Sequence, residues 1–120
     1  MLVCGVIGTH AMRMMFEILV PCQFNNGRPV RTKHHREWDK VIRKIAGGLT
    51  VLKPGKGQWV SSEGDLYEER MIPVRIACTR KQLDRIIAFT MDHYRQLAVL
   101  AYVVSSEVIY VEKKVDPIPA

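Results

Sequence analysis

Gly48-Leu49-Thr50-Val51-Leu52-Lys53-Pro54-Gly55-Lys56-Gly57-Gln58-Trp59 runs on through Glu63-Gly64-Asp65 into the long stretch Leu66–Cys78. Apolar and β-branched residues punctuated by Pro, Gly and Asp read as strands and turns. Thr50–Lys53 and Gln58–Ser61 either pair with each other or form one bent strand around Pro54–Gly57. Gly55-Lys56-Gly57 lacks the full phosphate-loop signature, so it reads as a hairpin turn. In Leu66–Cys78, Ile72, Val74 and Ile76 alternate onto one face, the period of a half-buried strand. Pro73 cannot donate to a ladder and is expected to mark a bulge.

A helix flanks this stretch on each side. Thr32 is the expected N-cap of a helix from about Lys33 to Ala46, closed by Gly47-Gly48. Trp38, Val41, Ile42 and Ile45 make its single apolar stripe. Thr79-Arg80-Lys81-Gln82 is a capping box opening a second helix that reaches Tyr94 or Gln96, with Leu83, Ile86, Ile87, Met91 and Tyr94 on one face. Ahead of the first helix, Phe16–Phe24 is a strand with Phe16, Ile18, Val20 and Cys22 on one side, and Pro21 implies a second bulge. Asn25-Asn26-Gly27-Arg28-Pro29 is a turn. Beyond the second helix, Ala98–Val104 and Glu107–Val111 read as strands joined through Ser105-Ser106. The order β-α-β-β-α-β is that of a ferredoxin-like α+β sandwich: an antiparallel sheet, two helices on one face, and an added C-terminal strand.

The chain of 120 residues, 48% hydrophobic and 25% charged, is long enough for one domain with a real core. That domain is read as 16–112. Met1–Met15 is a peripheral segment, either a leader ahead of a start at Met12, Met14 or Met15 or an arm packed on the body, and 113–120 is a loose tail. No apolar run is long enough to span a membrane. Cys4, Cys22 and Cys78 show no metal-ligand spacing and read as free thiols of a reducing compartment, so the expected location is cytoplasmic. Antiparallel pairing of the two long strands sets Cys22 and Cys78 at opposite ends, too far apart for a disulfide.

Glu37-Trp38, Gly48-Leu49-Thr50-Val51, Gly57-Gln58-Trp59, Gly64, Glu69 and Gln96-Leu97-Ala98-Val99 together resemble a family of small bacterial proteins of unknown function. The resemblance covers roughly Phe16 to Val111. It implies the same α+β fold and brings no activity with it.

The chemistry legible from the residues is sparse. Trp59, Glu69, Arg75 and Gln96 are the candidates for a small-ligand or enzymatic pocket. Glu68 and Glu69 point to opposite faces of a strand and are no acid/base pair by themselves. Cys22 and Cys78 have no histidine beside them in sequence, and no catalytic residue or cofactor is expected. His34 and His35 diverge around a helix and His93 reads as part of an exposed turn, so no metal is expected either. Arg28, Arg31, Lys33, Arg36, Lys40, Arg43 and Lys44 face only Glu37 and Asp39 in the same span. With the net charge of +6 they allow a nucleic-acid interface, but the stacking aromatics of sheet-based single-strand readers are missing. The leading expectation is a non-catalytic module that self-associates, as a homodimer, through the sheet face that carries no helices. That face holds Glu17, Leu19 and Gln23 on one strand and Met71, Pro73, Arg75 and Ala77 on its neighbour, with Glu17 beside Arg75.

Overall fold

The computed structural model describes residues 12–113. Its elements follow as β1 (Met14–Pro21), α1 (Thr32–Ala46), β2 (Thr50–Val51), β3 (Gly55–Val60), β4 (Leu66–Cys78), α2 (Arg80–His93) and β5 (Ala101–Ser105). The sheet order is β2-β4-β1-β5, with β3 also paired to β4, and every pairing is antiparallel. Both helices pack on one face, giving the expected ferredoxin-like α+β sandwich. No helix among the described residues is long and apolar enough to cross a membrane.

The core follows from strand alternation. Phe16 faces Ile76, Ile18 faces Val74 and Val20 faces Ile72 across the β1–β4 ladder. Trp38, Ile42 and Ala46 of α1 and Leu83 and Ile86 of α2 close over them. Fully burying one such aliphatic side chain contributes about 1.5–3 kcal/mol relative to leaving it exposed. Thr90, buried among them, is satisfied: Trp38 Nε1 donates to Thr90 Oγ1 at 2.9 Å, and that hydroxyl donates to the Ile86 carbonyl at 2.6 Å. The capping box of α2 is present, with Thr79 Oγ1 accepting from Gln82 N at 3.1 Å and Gln82 Oε1 accepting from Thr79 N at 2.9 Å. α1 ends on Gly47 in the left-handed region at φ 92°, where a side chain is strained. The turn expected around Asn26 is there too, with Gly27 at φ 84° and Phe24 N bonded to Arg28 O.

Several local expectations are corrected. Arg31 is the N-cap of α1 and gives no side-chain cap bond, because Thr32 is already helical. Pro54–Gly57 is no hairpin turn. β2 and β3 do not pair with each other but follow one another along β4, so the bent-strand alternative holds and Gly55-Lys56-Gly57 lies inside β3. Neither proline makes a bulge in the β1–β4 ladder, which runs unbroken from Met14↔Cys78 to Pro21↔Met71. Pro73 shows why: its carbonyl accepts from Leu52 N, so its missing donor faces the break between β2 and β3. Pro21 likewise faces the β5 side beyond Leu19, whose N–H bonds Leu100 O just ahead of that strand. The register shift that does occur lies between Met15 and Phe16, against β5.

The ends differ as well. Met14 and Met15 belong to β1, while 1–11 and 114–120, most of the expected peripheral segment and tail, lie outside the described residues. β5 starts at Ala101, and Glu107–Val111 forms no strand. Ser105 Oγ instead accepts from Glu107 N at 3.2 Å and donates to Glu107 O at 2.9 Å, so the first backbone groups of that segment are held in a local turn. Ile109 and Val111 remain exposed. Cys22 lies one residue beyond the Pro21↔Met71 pair and Cys78 pairs with Met14, so the two thiols sit at opposite ends of the ladder and are free.

Candidate functional site

Glu17 is the one acidic residue in β1, flanked by Phe16 and Ile18, which point into the core. Alternation therefore turns Glu17 onto the helix-free face of the sheet. Register brings a partner from each neighbouring strand: Arg75 of β4 and Tyr102 of β5. Arg75 Nε donates to Glu17 Oε1 at 3.0 Å, and the Tyr102 hydroxyl donates to Glu17 Oε2. Glu17 is only 7% exposed, although no helix of the described residues lies on this side, while Tyr102 is 44% exposed. A carboxylate so enclosed needs both partners, since burying it unpaired is costly. Glu17 and Arg75 were the cross-strand pair anticipated from sequence; Tyr102 was not, because its place depends on where β5 begins.

The same alternation carries Tyr67, Glu69, Met71, Pro73, Arg75 and Ala77 along this face of β4. Trp59 of β3 faces Tyr67, and their rings stack at 4.6 Å. Trp59, Glu69 and Arg75 thus share one face but are strung along it, with Glu69 and Arg75 six residues, roughly 20 Å, apart. Gln96 lies elsewhere, following α2, where its Nε2 donates to Tyr94 O at 3.1 Å and to Asn25 Oδ1 at 3.4 Å. Within one chain these four candidates do not meet in a single pocket. Glu68 points to the opposite side of the ribbon from Glu69 and pairs with Lys56 and Gln58.

A second constellation sits where the start of α1 meets the end of α2. His93 is not in an exposed turn. Its ring stacks on His34 with centroids 3.8 Å apart, flanked by Phe24, Phe89 and Tyr94. Sequence spacing could not reveal this, because the two histidines are 59 residues apart. Next to them His35 Nδ1 meets the Tyr94 hydroxyl at 2.7 Å. Burial pushes the Tyr94 phenol up, with Asp39 and Cys22 adding to the effect, so the phenol keeps its proton beside His35. Burial lowers the His35 pKa, opposed by Asp39 and reinforced by His34 and His93. The thiols are poor nucleophiles. Burial raises Cys78 to about 11 and raises Cys22 as well, against the opposing pull of Arg13 and Arg70 respectively.

Beside His34 a cleft of about 580 Å³ is lined by Phe24, Arg28, Pro29, Arg31, Lys33, His34 and Glu37. Three of the seven expected cations, Arg28, Arg31 and Lys33, meet there. Arg36, Lys40, Arg43 and Lys44 instead lie exposed along α1.

The class these features define is an α+β sandwich of ferredoxin-like topology, with one sheet face free of helices among the described residues. No protein-family model and no curated protein matches the chain. Among solved structures it is similar to a phage SAM lyase in complex with S-methyl-5'-thioadenosine, at 12% identity and TM-score 0.62, over 86% of this chain and 87% of that one. It is also similar to the divalent cation tolerance protein CutA1 from Thermus thermophilus, at 10% identity and TM-score 0.59, over 78% and 82%. CutA1 from Oryza sativa gives 10% identity and TM-score 0.57, over 88% and 84%. At these identities the likeness is one of fold.

Proposed function

We propose that the protein is a self-associating module whose copies join over the helix-free sheet face and hold a small polar ligand around Glu17, Arg75 and Tyr102. The observation that carries this reading is the enclosed carboxylate of Glu17 in the middle of that face. Leu19, Met71 and Pro73, around the charged pair, give the face an apolar surround, and the outer edge of β5 is unpaired among the described residues. Exposed Val103 and Val104 lie along that edge. Strand edges and apolar faces of this kind are surfaces that small proteins cover with copies of themselves.

Arg75 has no partner but Glu17 among the described residues, and its side chain is 45% exposed. Its remaining guanidinium donors suit a carboxylate, phosphate or hydroxyl group, and the Tyr102 ring on the other side of Glu17 suits a flat ligand. The thioadenosine bound by the phage enzyme of the same fold makes nucleoside thioethers the first ligands to try. A thermal-shift screen with S-methyl-5'-thioadenosine, S-adenosylmethionine, nucleotides and small carboxylates tests the reading. A stabilising ligand whose effect disappears in Arg75→Ala supports it; a hit that survives that change places the pocket elsewhere. Turnover of the hit supports the alternative of a small enzyme, with Arg75 the one residue of the expected Glu69, Trp59 and Arg75 set that lies at this site.

The cleft beside α1 favours one second reading, a nucleic-acid contact through Arg28, Arg31 and Lys33. Salt-sensitive retention on RNA or DNA supports it, and no retention at low salt removes it.

A further inference from the structure

The stacked histidines hold each other in one tautomer. His34 Nε2 lies 2.7 Å from the His93 carbonyl, and His93 Nε2 lies 2.8 Å from the His34 carbonyl. A carbonyl only accepts, so each Nε2 carries the proton. A metal takes imidazole in its neutral form, and with Nε2 carrying the proton the lone pair of each ring is the one on Nδ1. Glu37 follows His34 at i+3 on the same helix face, and its carboxylate is exposed. A ligating atom from each of His34, Glu37 and His93 lies within 4.8 Å of the other two.

We propose that His34, His93 and Glu37 bind one divalent transition-metal ion of the zinc type at the junction of α1 and α2. Two imidazoles and one carboxylate suit zinc, cobalt or nickel, whereas magnesium and calcium prefer a set of oxygens. An Nε2–H bound to a backbone carbonyl is the usual orienting partner of a metal-bound histidine, here present twice. Phe24, Phe89 and Tyr94 contact the two rings, and His34 and Glu37 both line the open cleft, which admits water or a small anion.

Two features work against the ion and shape what it requires. Nearly parallel ring planes, 16° apart, do not direct both lone pairs at one point. The rings must tilt their Nδ1 edges together, a rotation about the soft histidine χ2 torsion that the two carbonyl bonds can hinge. Arg28, Arg31 and Lys33 line the adjoining cleft and repel a bare dication. The same cations attract the anion that completes its coordination.

Cobalt(II) added to the full chain tests the site, since its visible spectrum reports tetrahedral coordination, with zinc titration calorimetry alongside. One ion per chain is expected. His93→Gln should weaken binding at least about tenfold, the scale of losing even a supporting contact in such a site. Glu37→Gln, an exposed and nearly isosteric change that leaves the fold intact, should do the same. Nitrogen-15 spectra of the ring nitrogens should show both Nδ1 signals shift on zinc addition while both Nε2–H protons are retained. No saturable binding by the wild type overturns the site. Binding that either variant leaves at wild-type strength overturns it equally.

Discussion

The two faces of the sheet are cut from the same strands and have opposite chemistry. On the helix side Phe16, Ile18, Val20, Val74 and Ile76 are all 3% exposed or less and carry no charge. One residue along, the other side presents Glu17, Leu19, Pro73 and Arg75, with Tyr102 on the neighbouring strand. The helices commit the first face to packing, so any polar group there must be satisfied internally, as Thr90 is. The second face is free of that constraint and can keep an ion pair. Alternation separates the residues that hold the fold from those available for a partner or ligand.

The largest break in this contrast comes from the covered side. Trp38→Ala should lose about 3–5 kcal/mol of unfolding free energy, from the lost packing and the lost indole bond to Thr90 Oγ1, measured by urea denaturation. Glu17→Gln should cost less, about 2 kcal/mol, because it removes a charge-assisted bond to a half-exposed arginine and keeps the shape of the side chain. If Glu17→Gln instead matched Trp38→Ala, the open face would be part of the structural core and the contrast would fail.

A smaller effect sharpens the picture on the helix side. The folded-state pKa of His35 lies below its ordinary value of 6.5, so the unfolded chain binds more protons in that region. Stability is therefore fully present above about pH 6.5 and is lost as pH falls through the lower folded value. Melting temperature should drop between pH 7 and pH 5, and His35→Gln should reduce the drop. A flat profile in the wild type would mean that burial does not hold the His35 pKa down in the folded chain.

Most of the fold was legible because it rests on local signals: the Thr79–Gln82 capping box, the Trp38 stripe, and alternation in β1 and β4. Those two strands even gave the Glu17–Arg75 pair, since the core faces admit one antiparallel alignment. What was illegible depended on contacts distant in sequence. Pro21 and Pro73 look like defects until the neighbouring strands show that their missing donors face gaps. Tyr102 reaches Glu17 only because β5 begins at Ala101, a boundary that propensity does not set. His34 and His93 meet because the helices pack with those ends together, and nothing near either residue announces it. The resemblance carried by Glu37-Trp38 and Gly57-Gln58-Trp59 pointed to a fold and to no chemistry.

Light scattering of the wild type and of Leu19→Arg at micromolar concentration tests most directly whether the helix-free face is the surface by which this protein meets its own copies. Leu19 faces Pro73 on that side and takes no part in the core, so the arginine should leave the circular dichroism spectrum and the monomer fold unchanged. The account predicts a wild-type oligomer of defined mass and a Leu19→Arg monomer. A monodisperse wild-type monomer, or an oligomer that Leu19→Arg leaves intact, would contradict it.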